Sequence, residues 1–419
     1  MPAPPPILTA DAMMAALKDR PAVLDKLGPD TAQWTITEVS DGNMNAVFRV
    51  QQGAQSVIAK HAPPFIRVIG KSWPFPQERI HHEHAALNHH QRLCPDYVPQ
   101  IIDFNADQAL LVTEDFRTLT IARRAFINGQ SLPNFADQLS DYLARSLFFT
   151  SDFALPTTEK KALIGEFIGN AELCATTEAV IFNGPYWPAP LNRHTHGLEA
   201  QVARIRQDEE WHLATAALNE VFRTKTEALI HGDLHTGSIM VDAETTKIID
   251  GEWAFHGPMG FDLGAVIGNL LIAYASQAGH AEQPGSAPLD RAAYAAWLLT
   301  VIEALWTQFC QKFRAFAHEK RDQRDDALLT PKLFDRAAVD RYLDQFFAGL
   351  LKDTAGFAGA KMTRRIIGIS HVEDFEDISD ETRRARCETH ALAIARQLVV
   401  NRDDIETITD LTAAAKRLV

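Results

Sequence analysis

The chain has 419 residues, of which 46% are hydrophobic and 23% charged, and its formal net charge is −13. That length exceeds what one compact core sustains, and the composition is that of a globular protein with disorder confined to its ends. The acidic balance and the lack of a long Lys/Arg run exclude nucleic acid, whose phosphates demand a basic stripe, and disfavour anionic membranes.

Cys94, Cys174, Cys310 and Cys387 are far apart and show no Cys-x-x-Cys pairing. Neither a disulfide framework nor a zinc site is expected, and a reducing cytoplasm is the expected compartment. No basic segment followed by an apolar core opens the chain, so no signal peptide is expected. The longest apolar stretches, such as 263–274, contain Gly and Asn and fall short of a membrane span.

In chain order, residues 8–28 carry helical spacing through Leu8, Met13, Met14, Leu17, Val23 and Leu27. Two β-rich runs, 34–39 and 46–50, flank the turn residues Asp41-Gly42-Asn43, and a third, 56–60, follows a glycine turn. This is an antiparallel meander. A loop rich in Pro and aromatic residues, 63–76, leads to a helix over 77–92 and strands over 101–104 and 110–113. After Glu114-Asp115-Phe116 the texture becomes helical, with helices expected over 139–150 and 200–225. A β interlude covers 228–256, and helices resume near 263–274 and 292–318. The expected fold class is α+β, with an antiparallel β-rich N-terminal lobe over 1–117 and a mainly helical C-terminal lobe over 118–419.

The most informative segment is Leu229-Ile230-His231-Gly232-Asp233-Leu234-His235-Thr236-Gly237-Ser238, followed by Lys247-Ile248-Ile249-Asp250-Gly251-Glu252-Trp253. An apolar run leads into each Asp. Phosphoryl transfer needs a hydroxyl held in line and metal ions on the phosphate oxygens, with little covalent help. Asp233 is the candidate to orient the hydroxyl and accept its proton. Asp250, about one hairpin later, is the candidate ligand for Mg²⁺, and Glu252 projects on the same side if the segment is an extended strand. Ser238 lies five residues after Asp233, where a protein-kinase loop carries a metal-binding Asn, and is a weaker candidate ligand. The bland alternative is a His-Gly-Asp turn followed by an Asp helix cap.

The segment from His231 to Ser238 resembles the catalytic loop of aminoglycoside and choline kinases, which share the protein-kinase-like fold. Its particular form, with Phe255-His256-Gly257-Pro258-Met259-Gly260-Phe261-Asp262-Leu263-Gly264, resembles the 5-methylthioribose kinases. The resemblance runs over nearly the whole chain, through Asp41-Gly42-Asn43-Met44-Asn45, Ser72-Trp73-Pro74, Leu147-Phe148-Phe149-Thr150-Ser151-Asp152, Ala360-Lys361-Met362-Thr363-Arg364-Arg365-Ile366 and His371-Val372-Glu373-Asp374-Phe375. It implies ATP as co-substrate with Mg²⁺, phosphorylation of the 1-hydroxyl of 5-methylthioribose in methionine salvage, and a homodimer. The family's Asp-Pro-Glu stands here as Asp250-Gly251-Glu252. Both carboxylates survive, and the looser glycine bears on metal affinity.

On the nucleotide side the resemblance implies that Asn43 contacts ATP and that Lys60, ending an apolar strand, reaches the α and β phosphates. Glu83 on the following helix is the expected partner of Lys60, with Glu78 as alternative. The backbone at Glu114, Asp115 and Phe116 is implied to meet the adenine edge. On the substrate side Arg364 and Arg365, opening an apolar segment, are implied to meet the sugar and its developing phosphate. Trp73 either closes over the ligand or packs in the core.

Residues 81–90 read His-His-Glu-His-Ala-Ala-Leu-Asn-His-His. His81 and His84 share a helix face, but no third His joins them and His-Glu-x-x-His fails at Ala86. A solvated helix face is expected instead of a metal site. The alternatives to methylthioribose are an aminoglycoside, choline or other amino-bearing acceptor, or an inactive nucleotide-binding relative.

Overall fold

The computed structural model describes residues 9–39, 44–67, 73–280, 289–324 and 326–418. They fall into two compact units. The first holds the described residues up to Thr118 with two returning pieces, Asn170–Leu173 and Lys247–Ala254. The second holds Leu119–Gly169, Cys174–Thr246 and the described residues of Phe255–Val419. A division at residue 117 takes no account of the two returning pieces.

In the first unit, strands β1 (Thr35–Glu38), β2 (Ala46–Gln52), β3 (Gln55–His61), β4 (Ile101–Asn105) and β5 (Leu110–Glu114) form one sheet in the order β1-β2-β3-β5-β4. Every pairing is antiparallel. The period of two sends Ala46, Phe48, Val50, Val57 and Ala59 to one face, where they are buried against Met13, Leu17, Val23 and Leu27. These four come from helices α1 (Ala10–Leu17) and α2 (Pro21–Leu27). The single helical pattern over 8–28 is thus two helices. Pro21 has no N–H to extend α1 and instead occupies the first turn of α2.

The same alternation turns Lys60 to the opposite face of β3. There lies α3 (Arg79–Leu93), whose Ile80 packs with Ala62, Ala109 and Leu111. The histidine-rich face of α3 is not simply solvated. His84 stacks on Phe104 with ring centroids 3.9 Å apart, His81 meets the same ring edge-on at 5.5 Å, and His90 is buried. Phe104 on β4 supplies a flat apolar surface that these imidazoles cover.

The second unit is built around the helix Met259–His280, which packs against Arg291–Asp322, Arg336–Ile367 and Glu381–Val400. At 22 residues it is long and apolar enough to cross a membrane, and so exceeds the shorter stretch expected from sequence. Its apolar stretch is buried inside the protein, so it serves as a core helix. Its approach to Arg336–Ile367 is close: a Cβ at Gly264 would lie 2.7 Å from the Thr354 carbonyl oxygen and 2.8 Å from Phe357 Cβ. Gly264→Val is therefore expected to lower stability by about 1–3 kcal/mol or more through overpacking. An unchanged melting temperature would mean that the two helices part without penalty.

Two short strands, Ala228–Ile230 and Phe255–Gly257, pair antiparallel, and Ile239–Val241 pairs with Thr120–Ile121. They fix both ends of the segment that carries Asp233.

Candidate active site

The chain leaves the buried strand Ala228–Ile230 through His231 and Gly232. Gly232 has φ +82°, a left-handed conformation open to glycine at little cost. The amides of His231 and Gly232 both donate to the Asp262 carboxylate, at 2.6 and 3.0 Å. Asp262 lies in the first turn of Met259–His280, and burial pushes its carboxyl up. This backbone clamp sets where Asp233 points. On the far side, the Ser238 hydroxyl donates to the Asp233 carbonyl at 3.1 Å and closes the loop. The hydroxyl expected as a metal ligand is thus buried and spends its proton inside the loop.

The Asp233 carboxylate is held at both oxygens. Lys361 Nζ donates to Oδ1 at 2.9 Å, and His235 Nε2 lies 3.3 Å from Oδ2. The Gly237 amide donates to His235 Nδ1 at 2.9 Å, which leaves the ring proton on Nε2. Burial pushes His235 down to about 4 against the pull of Asp233, so the ring is neutral and donates as a dipole. Burial by itself would raise the Asp233 carboxyl. Lys361, His235 and Arg365 outweigh it and hold the group well below the usual carboxylate range, so it is ionised near neutrality.

Lys361, Arg364 and Arg365 share one face near the end of Arg336–Ile367, at the i, i+3, i+4 spacing. The two arginines close a 32-residue helix; they do not open an apolar segment as expected. Arg365 donates to the Ser370 carbonyl at 3.0 Å, and Arg123 pairs with the buried Asp374 at 3.2 Å. The Arg364 Nε is buried with no hydrogen-bond partner among the described residues. Burial pulls down the pKa of Lys361, Arg364 and Arg365. The surroundings of Asp233 are therefore cationic around one ionised carboxylate. Lys361 and His235 were not among the expected site residues. The i, i+4 spacing of Lys361 and Arg365 joins the first to the expected arginines only once the helix register is known.

The first unit carries the other expected group. Lys60 Nζ donates to Glu83 Oε1 at 2.9 Å and to Asp250 Oδ1. Burial would strip the Lys60 charge, but Asp250, Glu83 and Glu252 outweigh it and raise its pKa. Burial raises the Glu83 pKa, and Lys60 opposes the shift. Glu83, not Glu78, is the partner: Glu78 caps the start of α3 and makes no side-chain capping bond.

Asp250 and Glu252 do not lie on one side of an extended strand. Asp250 is left-handed, with φ +73°, and Gly251–Trp253 is a turn of 3-10 helix. Asp tolerates this conformation better than most residues. The turn sends Glu252 inward, where it accepts from Asn45 at 2.7 Å and pairs with Arg79 at 3.4 Å. Arg79 is fully buried and also donates to Asn45 Oδ1, Pro63 O and Met44 O. Glu252 neutralises that arginine, whereas the Asp250 side chain is 44% exposed and open to a cation. Among the described residues no cluster of three or more His, Cys, Asp or Glu forms a metal cage. A metal held by one carboxylate and by phosphate oxygens needs none, and the hard oxygens of Asp250 fit that role.

Of the remaining expected residues, Asn43 lies outside the described residues. The Asp115 carboxylate is forked with Arg49 at 2.6 and 3.0 Å. Phe116 is buried, with the Lys247 ammonium 5.2 Å from its ring centroid. Glu114 Oε2 accepts from the Gln100 amide at 3.3 Å. Trp73 is partly buried in an apolar cluster with Ile66, Phe75 and Leu173, which is the packing alternative for that ring.

The fold and these two carboxylate sites define a kinase-like phosphotransferase, and a model of the phosphotransferase enzyme family matches residues 35–305. The chain is 41% identical over 399 residues to methylthioribose kinase 1 of Oryza sativa subsp. japonica, covering 95% of this chain and 92% of that one. It is 40% identical over 383 residues to methylthioribose kinase of Klebsiella pneumoniae subsp. pneumoniae, covering 91% and 92%. The Exiguobacterium sibiricum methylthioribose kinase is 37% identical over 383 residues, 90% of each chain. The chain belongs to the methylthioribose kinases within the phosphotransferase enzyme family. Kinases of this kind use ATP with a divalent metal.

Proposed function

We propose that this enzyme transfers the γ-phosphoryl group of ATP to the 1-hydroxyl of 5-methylthioribose, giving 5-methylthioribose 1-phosphate, with Mg²⁺ as the metal. The step belongs to methionine salvage. The observation that carries this reading is the Asp233 carboxylate held by Lys361 and His235, in a chain akin to methylthioribose kinases over nearly its whole length.

Asp233 orients the sugar hydroxyl and takes its proton as the O–P bond forms. Arg364 and Arg365 offer planar donor forks to the sugar and phosphoryl oxygens. Lys60, aimed by Glu83, meets the α and β phosphates. Asp250 would hold the Mg²⁺, which neutralises phosphate charge when bound. The Glu114, Asp115 and Phe116 backbone serves the adenine edge, and Asn43 the phosphates. Glu252 anchors the turn that follows Asp250 by its own bonds to Arg79 and Asn45. The cationic side chains around Asp233 disfavour choline and aminoglycosides, which carry positive charge themselves. We assign the enzyme to the cytoplasm as a homodimer; a sedimentation mass of one chain would exclude a stable dimer.

The test is ADP release with 5-methylthioribose, ribose, choline and kanamycin. Turnover with methylthioribose alone supports the assignment, and turnover with another acceptor removes it. Gly251→Pro is expected to keep kcat within about threefold. Pro suits the first residue of a helical turn, and Ala86 Cβ is the nearest neighbour to an added Cβ, at 3.9 Å. The left-handed Asp250 is the feature that opposes it. A complete loss, followed in a Mg²⁺ titration, would show that this segment is built differently from the family's Asp-Pro-Glu.

A further inference from the structure

Lys361 is 2% exposed, and its ammonium lies 4.3 Å from the centroid of the Phe261 ring. Burying a lysine so deeply is unfavourable unless its charge is answered. The answer here is Asp233 Oδ1 at 2.9 Å. A carboxylate offers about four lone-pair sites. Fixing Oδ1 to Lys361 and Oδ2 to His235 therefore locks the plane of the group and still leaves sites for an incoming hydroxyl. We propose that Lys361 is a positioning residue for phosphoryl transfer, its ammonium holding the plane and the charge of Asp233 so that the acceptor hydroxyl is aligned. This rests on the kinase reading above.

The groups that face Asp233 come from four elements. His235 comes from its own loop, and Lys361, Arg364 and Arg365 from Arg336–Ile367. Arg123, from the helix Ala122–Ile127, acts on His235 and the two arginines, not on Asp233 directly. Asp262 lies behind the backbone. Arg123 is paired with Asp374, and Arg365 is tied to Ser370. Lys361 alone among these cations makes a direct bond to the Asp233 carboxylate. In the reaction the hydroxyl proton passes to Asp233 and the new O–P bond forms. The bridging P–O bond of ATP breaks with its electron pair going to ADP, and Lys361 keeps its proton throughout.

The test uses the full chain. Lys361→Met is expected to lower kcat about 100-fold, the scale of losing one fixed charge beside the reacting group, with the KM for ATP unchanged. Lys361→Ala is expected to behave alike and to regain at least about tenfold in kcat, saturably, with added propylammonium, which restores the missing atoms and charge. Propanol is expected to restore nothing. A Lys361→Met enzyme keeping more than about a third of the parent kcat would overturn the proposal. So would a folded Lys361→Ala enzyme indifferent to propylammonium. If the neutral variants do not fold, Lys361→Arg decides: it keeps the charge but displaces it, so a kcat at least about tenfold lower is expected and a parent-like value overturns the idea. The same ratios are read for the slow ADP release with water as acceptor. A parent enzyme inactive toward methylthioribose would then remove the acceptor assignment without removing the Lys361 comparison.

Discussion

Asp233→Asn is expected to lower turnover by about 10²–10⁴-fold while leaving the KM for ATP near the parent value. The amide has nearly the shape of the carboxylate, so the clamp of Asp262 on His231 and Gly232 is untouched. What is lost is the charge that draws the hydroxyl proton. Lys361 is also left buried without its counter-charge, so some loss of stability accompanies the kinetic effect. The assay is therefore run well below the variant's melting temperature, with ATP binding measured separately. Activity within about tenfold of the parent would place the proton acceptor elsewhere.

Asp250→Asn is expected to cost about 10³-fold in kcat, corresponding to several kcal/mol of charge stabilisation by the metal. The Mg²⁺ concentration for half-maximal activity is expected to rise with it. Lys60 keeps Glu83 as partner in this variant, so the first unit should stay folded and the KM for ATP should shift less than the metal requirement. Glu252→Gln is the contrast. It leaves Arg79 buried with a weaker partner, so its first effect falls on melting temperature. A large kcat loss in Asp250→Asn with no change in metal requirement would sink the assignment of Asp250 as the metal carboxylate.

Much of this was legible in the sequence because it depends on local patterns. Alternation along β3 separates Lys60 from the core positions Val57 and Ala59, and a helix register after it brings Glu83 within reach. The apolar strand before His231-Gly232-Asp233 and the spacing to Asp250 mark both carboxylates. The rest depends on tertiary structure. The left-handed Asp250 has no signature in Asp-Gly-Glu, so the sequence pattern puts Glu252 beside Asp250 on a strand, whereas the fold turns it inward to Arg79. Lys361 was missed for another reason. From Asp353 to Thr363 every residue of the helix is buried, so no polar face remains to reveal its period. Without the period, the shared face of Lys361, Arg364 and Arg365 could not be read.

The most direct test is to identify the product. The enzyme is incubated with Mg·ATP and 5-methylthioribose, and phosphorus NMR is recorded, with Asp233→Asn alongside. The account predicts a new phosphate monoester whose phosphorus couples to the anomeric proton, formed by the parent and not by the variant. ADP with inorganic phosphate and no sugar ester, or an ester at another hydroxyl, would contradict it.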